Sequence, residues 1–285
     1  MKALVANIED VFREAAARWT LLTYFFLSTI FIVIFAFAIN LDIVDGALAS
    51  AKLFGREVEM NGDNPISIDK IVTFSEMTFS GVFYLLCTFL AVFATAHLVP
   101  RMQDKGTIDL YLSRPVGRVR LLLSRYLAGV MLAMANVVYL MGSIGAIVLW
   151  KTGVLHGRFF IGGLIIMLVI ATLMAFSFLI GVVTSSTAVS IMTTFGIFLL
   201  SGALVARNEF AAAVSKEWQA FLIKSMYWVF PKTAELAQAT VAFVGGADVP
   251  DKVARVLTPA PFLTTAAFGA ACLVLSSWLF TRKEF

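Results

Sequence analysis

RMQDKGTIDLYLSRPVGRVRLLLSR, residues 101–125, stands between two long apolar runs and holds six of the 22 Lys and Arg residues of the chain. Its meaning depends on what surrounds it. Of 285 residues, 60% are hydrophobic and 14% charged, with a mean hydropathy of +0.90; soluble domains average about 45–50% apolar and about 25% charged. The bilayer is therefore the solvent for this chain, and the basic stretch is a loop on one of its surfaces.

Outward from that loop, six apolar runs can be delimited, at 20–41, 79–99, 126–150, 160–183, 189–205 and 262–281. Most approach the roughly 20 residues that a helix needs to cross a hydrocarbon core about 30 Å thick. Lipid offers no partner to an open backbone N–H or C=O, so each run must be helical. The expected fold class is an all-α membrane protein: six transmembrane helices in one domain spanning 1–285, with no stretch left for a catalytic cytosolic domain. Ahead of the first run, Leu4, Ile8, Val11, Phe12, Ala15 and Trp19 recur at steps of three or four among charged neighbours. That pattern predicts an amphipathic helix over 1–19 in the headgroup layer. The first run is too long for a signal-peptide core, so the segment is expected to be retained.

Orientation follows from the cations beside the spans. Lys2, Arg13 and Arg18 precede the first, whereas its far side opens with Asp42 and Asp45, which places the N-terminus in the cytoplasm. Six crossings return Arg282 and Lys283 to the same side, in the inner (cytoplasmic) membrane. Cations divide 11 to 11 between the two sides, but the outer ones are diluted among 12 carboxylates in longer loops. In the first outer loop, Glu57-Val58-Glu59-Met60 followed by Asn61-Gly62 predicts a small hairpin. In the last, residues 218–229, with Trp218, Phe221, Leu222, Met226, Tyr227 and Trp228, are too few to cross and suit an interfacial or re-entrant helix.

Candidates for chemistry are few. Ionisable groups deep in a span mark function, because each costs at least about 2.5–3.5 kcal/mol there; Glu76 falls just before the second run and His97 at its cytoplasmic end, with His156 in the opposite loop. One histidine per side makes no metal cluster, and Cys87 and Cys272 read as small buried hydrophobes. No catalytic, cofactor-binding or metal-binding residue is expected. The cations gather at span edges, where topology accounts for them, so nucleic acid is not expected as a partner. No GxxxxGK[ST] occurs, so any nucleotide-driven motor is another polypeptide. Asn136, Tyr139 and Ser143 in the third run, and Ser177, Thr184, Ser185, Ser186, Thr187, Ser190, Thr193 and Thr194 around the fourth and fifth, can bond helix to helix. Gly129/Ala133, Gly142/Ala146 and Gly162/Gly163 offer close-packing surfaces.

Within 101–125, Thr107 can cap a short helix over 108–113, with Asp109 in its first turn. Ile108, Tyr111 and Leu112 then share one face, and Pro115 ends the helix. Arg118 and Arg120 follow in a loop, and a second helix runs into the membrane past Arg125. By composition alone this is a basic cytoplasmic loop with an interfacial helix.

The spacing, however, resembles the signature of ABC-2-type transporter permeases. In that pattern an acidic-basic pair precedes Gly-Thr; a hydrophobic-acidic-x-x-Leu-x-x-Pro-hydrophobic-x-Arg run follows, then a basic residue opening the next span. Asp104, Lys105, Gly106, Thr107, Asp109, Leu112, Pro115, Val116, Arg118 and Arg125 fall on it. The family often has Glu at the acidic positions and Lys where Arg125 stands, so Asp104, Asp109 and Arg125 are departures that alter side-chain length and donor shape. The resemblance implies a homodimeric transmembrane subunit binding two copies of a cytosolic ABC ATPase, with ATP and Mg on that partner and no cofactor on this chain. It implies that 108–113 is the coupling helix, that Asp104, Lys105, Gly106, Thr107, Ile108, Asp109, Tyr111, Leu112, Pro115 and Arg118 form the ATPase contact, and that motor closure tilts spans two and three. The work done is export. The alternative is a membrane scaffold that passes ATPase motion to an extracytoplasmic partner without solute crossing, as in maturation of copper enzymes. A partner bound at the outer loops, and no continuous path between protomers, would mark that alternative.

Overall fold

A computed structural model describes residues 13, 20–44, 47–53, 56–57, 68–104, 106, 117–154, 156–213, 217–246 and 257–283. The amphipathic segment expected over 1–19 lies outside them, apart from Arg13. Ten helices and a small sheet follow in order among the described residues: α1 (Thr20–Ala38), β1 (Ile39–Val44), β2 (Ala47–Leu53), β3 (Arg56–Glu57), α2 (Ile68–Thr95), α3 (Leu98–Met102), α4 (Arg118–Thr152), α5 (Gly157–Thr184), α6 (Thr187–Val205), α7 (Arg207–Ala213), α8 (Glu217–Val229), α9 (Thr233–Gly245) and α10 (Pro259–Arg282). The body is helical, and five of its helical segments are long and apolar enough to cross a membrane: 72–102, α4, α5, α6 and α10. The apolar stretch described within α1, Leu22–Phe37, is shorter. α1 ends at Ala38 rather than at the expected residue 41, because Ile39 already belongs to a strand.

That strand revises the reading of the first outer loop. β1 pairs antiparallel with β2, from Ile39 opposite Leu53 to Val44 opposite Ala47, and β2 pairs with β3. The two strands flank Asp45-Gly46, which lie outside the described residues. Of the strand expected around 57–60, only Glu57 is described.

α5 is the centre of the bundle. GRFFIGGLIIMLVIATLMAFSFLIGVVT carries no charge after Arg158 and no amphipathic stripe, the pattern of a helix largely enclosed by apolar surroundings; Ile161, Leu164 and Val183 remain exposed. It packs against α2, α4, α6, α9 and α10, and Phe159, Ile166, Ile170, Leu173 and Phe178 are fully buried along it. α1, α6 and α10 instead present wide apolar faces outward, with Phe26, Phe37, Met192, Leu199, Leu263 and Val274 exposed. Such faces are unremarkable where lipid is the solvent.

The second expected run is longer than its apolar stretch and is interrupted. α2 begins at Ile68, so Glu76 lies within the helix and is buried. A break at Ala96-His97 separates α2 from α3, four residues before and at the turn that Pro100 disturbs by lacking an N–H and crowding the preceding carbonyls. Glu76 Oε2 meets His156 Nδ1 at 2.9 Å, joining two residues that the expected topology places on the same outer side. The chain thus keeps an ionisable group inside a helix after all; it does so with a partner, as the cost of burying a charge requires.

Polar side chains of the bundle divide into two groups. Asn136 Nδ2 donates to Ser28 Oγ at 2.9 Å, and Tyr139 OH pairs with Thr29 Oγ1 at 2.9 Å, fastening α4 to α1 as expected. Thr184, Ser190, Thr193 and Thr194 return instead to carbonyls one turn back. Small residues divide likewise. Gly162 admits α9 and Gly163 admits Met141 of α4, whereas Gly142 faces open space. The tightest backbone approach falls at a glycine the pair pattern did not single out: a Cβ on Gly269 of α10 would sit 3.2 Å from the Thr172 Cα of α5. Gly269→Ala is therefore expected to destabilise the protein by about 1–3 kcal/mol, because the obstacle is backbone and cannot rotate away. Gly142→Ala should leave the thermal midpoint unchanged; unfolding scans in detergent check both.

Candidate coupling interface

The C-terminal ends of α3, α5 and α10 and the N-terminus of α4 meet at one end of the bundle. The C-terminal ends of α1 and α4 lie together elsewhere, where Lys151 Nζ donates to the Ala36 carbonyl at 2.6 Å. Helix ends leave their last carbonyls without intrahelical donors, and at the first meeting point side chains from other helices supply them.

Gln103 follows α3 directly. Its Nε2 donates to the Gly181 carbonyl of α5 at 2.8 Å, and its Oε1 accepts from Ser185 Oγ at 3.0 Å. Ser185 holds φ +52, the left-handed conformation that closes α5 and returns its N–H to the Gly181 carbonyl. Gly181 allows the approach, since a Cβ there would come 3.1 Å from Pro100 and 3.3 Å from Val99. From α10, Lys283 Nζ reaches Gln103 Oε1 at 2.6 Å, the Val182 carbonyl at 2.7 Å and Ser185 Oγ at 2.8 Å. A cation against the C-terminal carbonyls of a helix also meets the negative end of its dipole. Burial draws the Lys283 ammonium below the ordinary lysine range.

Arg118, the first residue of α4, completes the arrangement. Its Nη1 donates to the Lys283 carbonyl at 2.8 Å and to the Thr281 carbonyl at 3.2 Å. One turn beyond α4's second, Arg125 is buried, and its Nη1 donates to the Leu98 carbonyl of α3 at 3.3 Å. The break before α3 is thereby tied to the base of α4.

Of the expected contact residues, Asp104, Gly106 and Arg118 are described; Lys105, Thr107, Ile108, Asp109, Tyr111, Leu112 and Pro115 lie outside the described residues. Asp104 and Gly106 are exposed, and Gly106 takes φ +85, which favours glycine. Gln103 and Lys283 were absent from the sequence-based set. Lys283 had a signal, a cation immediately after the last apolar run, but it read as topology alone.

The opposite side holds a second polar cluster. α8, expected as an interfacial helix over 218–229, forms over Glu217–Val229 and buries no residue. After Phe230-Pro231, α9 turns inward, and Leu236, Ala239, Thr240 and Val244 are buried among α2, α5, α6 and α10. The sequence reading assigned no element to residues 232–244. Tyr84 OH, near the middle of α2, donates to the Thr233 carbonyl at 2.5 Å, and Thr265 of α10 accepts from the Lys232 N–H at 3.1 Å. Lys232 is 3% exposed; its Nζ donates to Thr264 Oγ1 at 2.8 Å and lies over the Tyr227 and Trp228 rings. Glu235 accepts from Tyr227 OH at 2.7 Å and from Arg207 at 3.4 Å. Burial, reinforced by Glu235, pushes the Tyr227 hydroxyl up to about 12.

A family model described as ABC-2 family transporter protein matches residues 12–285. No curated protein matches the sequence. At the inward-turned helix, Tyr84→Phe is expected to cost about 1–3 kcal/mol by leaving the buried Thr233 carbonyl without its donor. Faster amide exchange across α9, with α4 unchanged, is the corresponding measurement.

Proposed function

The chain belongs to the ABC-2 transporter family, and we propose that it is the membrane-spanning permease subunit of an ABC transporter, driven by a separate cytosolic ATPase. The observation that carries this reading is the convergence at the base of 104–117, where Gln103 on one side and Arg118 on the other are bonded to the ends of α5 and α10. A loop that only balanced charge across a membrane would need no such anchorage.

In this reading α1 is the first of six spans, both termini lie in the cytoplasm of an inner-membrane protein, and the protein works as a homodimer binding two ATPase subunits. ATP and Mg belong to those subunits. Residues 108–113 form the coupling helix, presenting Ile108, Tyr111 and Leu112, while Asp104, Lys105, Gly106, Thr107, Asp109 and Pro115 shape its approach. When the ATPase pair closes, the helix is displaced, and the movement enters span two through Gln103 and span three through Arg118. Arg125 makes the two spans move together, because its bond to the Leu98 carbonyl crosses between them. The break at Ala96-His97 is the place where α3 can change angle without unfolding α2. The work is export of an apolar or amphipathic passenger, since uncharged helix faces suit such cargo.

Two measurements test this. Ile108→Asp with Leu112→Asp is expected to abolish capture of the ATPase by the full-length permease while membrane insertion stays intact; retained capture overturns the interface. For topology, a cysteine in place of Ser113 should react with an impermeant maleimide only in inverted vesicles, and one in place of Asn61 only in intact cells with a permeable outer layer. The reverse pattern overturns the orientation.

A further inference from the structure

We infer that Lys283 is a positioning residue that straps both feet of the 104–117 segment to the ends of α5 and α10, so that force on the segment reaches spans four and six as well as two and three. This rests on the reading of 104–117 as the ATPase contact.

The geometry has three parts. First, an ammonium has three N–H donors, and at Lys283 Nζ three oxygens from different places lie within bonding distance: Gln103 Oε1 at 2.6 Å, the Val182 carbonyl at 2.7 Å and Ser185 Oγ at 2.8 Å. Second, the main chain of the same residue is engaged in two directions. Its N–H donates to the Leu279 carbonyl at 3.1 Å, holding it to the last turn of α10, and its own carbonyl accepts from Arg118 Nη1 at 2.8 Å. Third, its backbone is extended, with φ −72 and ψ 125, which turns the residue out of α10 and across to α5.

One residue therefore touches the position just before the segment, Gln103, and the position just after it, Arg118. The same residue holds the Val182 carbonyl in the last turn of α5. An unanchored lysine would keep its rotamer freedom; ordering it requires that the three acceptors be already gathered. Ser185 gathers them, because its left-handed backbone turns the end of α5 toward Gln103. Arginine does not substitute, since its donors lie in one plane and are spread over the fork, whereas a single ammonium nitrogen sends three N–H bonds to three oxygens grouped around it. The device is a clamp between helix ends, with no ligand of its own.

Four spans held at one point respond to a push as a unit. With Lys283 cut, the segment still presents the same face to a partner, but displacement passes only to its two flanking helices.

The experiment uses full-length protein in lipid nanodiscs, with Lys283→Met as the main variant and Lys283→Arg beside it. Amide exchange in Lys283→Met is expected to rise on the order of tenfold at 181–186 and at 104–117, with the middles of α2, α4 and α5 unchanged. Lys283→Arg should fall on the side of Lys283→Met at 181–186. With the ATPase captured, wild-type exchange at 181–186 should differ between ATP-bound and nucleotide-free states, and Lys283→Met should lose that difference while retaining capture. Unchanged exchange at 104–117 in Lys283→Met overturns the strap, as does a rise spread evenly through the helix middles, which would mean general destabilisation. Loss of nucleotide dependence in the wild type, or capture that survives Ile108→Asp with Leu112→Asp, counts against the ATPase contact instead, and the nucleotide-free exchange data still decide the strap.

Discussion

The burial of α5 along most of its length is the constraint on which the rest of the structure depends. Its neighbours cover most of it and leave Ile161, Leu164 and Val183 exposed. They do so at close range because glycine stands at the contacts: Gly162 beneath Val244 and Thr240 of α9, Gly163 beneath Met141 of α4, and Gly269 of α10 against Thr172. In lipid the drive for helix association is close packing and hydrogen bonding rather than burial from water. A helix enclosed by small-residue contacts maximises the first of these.

From that enclosure the two polar ends follow. The last carbonyls of α5 face other helix ends instead of solvent, and Gln103 and Lys283 are the donors that reach them. Near its other end, α9 occupies the space beside Gly162, and its first turn is held by Tyr84, Ser201 and Thr265. α5 thus joins both clusters through rigid, close-packed structure, which moves as a body more readily than it deforms. A displacement imposed at one end has a direct mechanical route to the other, along α5 itself.

Much of this was legible in the residues. Composition placed the chain in a bilayer, and five of the six apolar runs coincide with helical segments long enough to cross it. The aromatic helix at 217–229 was visible from its anchors, and the Asn136 and Tyr139 bonds to a neighbouring helix were foreseen from their polarity. Boundaries were less legible. α2 extends well before its apolar stretch because, over Ile68–Met77, it continues on protein contacts such as Glu76 with His156, and hydropathy does not register those. α9 was missed because Thr233–Gly245 is too short to cross and only moderately apolar; it is stable there because other helices enclose it, in keeping with the rule that tertiary packing supplies most helical stability.

The amino-acid sequence by itself determined the solvent of this protein, the number and approximate place of its apolar runs, and the basic stretch at 101–125 whose spacing resembles the family signature. These are local properties: hydropathy, periodicity and turn chemistry act over a few residues to a few tens of residues. Tertiary structure alone decided the partners. Gln103 and Lys283 stand 180 positions apart, Tyr84 and Thr233 stand 149 apart, and Glu76 and His156 stand 80 apart. No helical period relates such positions; they meet because α2, α4, α6, α9 and α10 pack around α5 and bring their ends, with those ends' unsatisfied carbonyls, to common points.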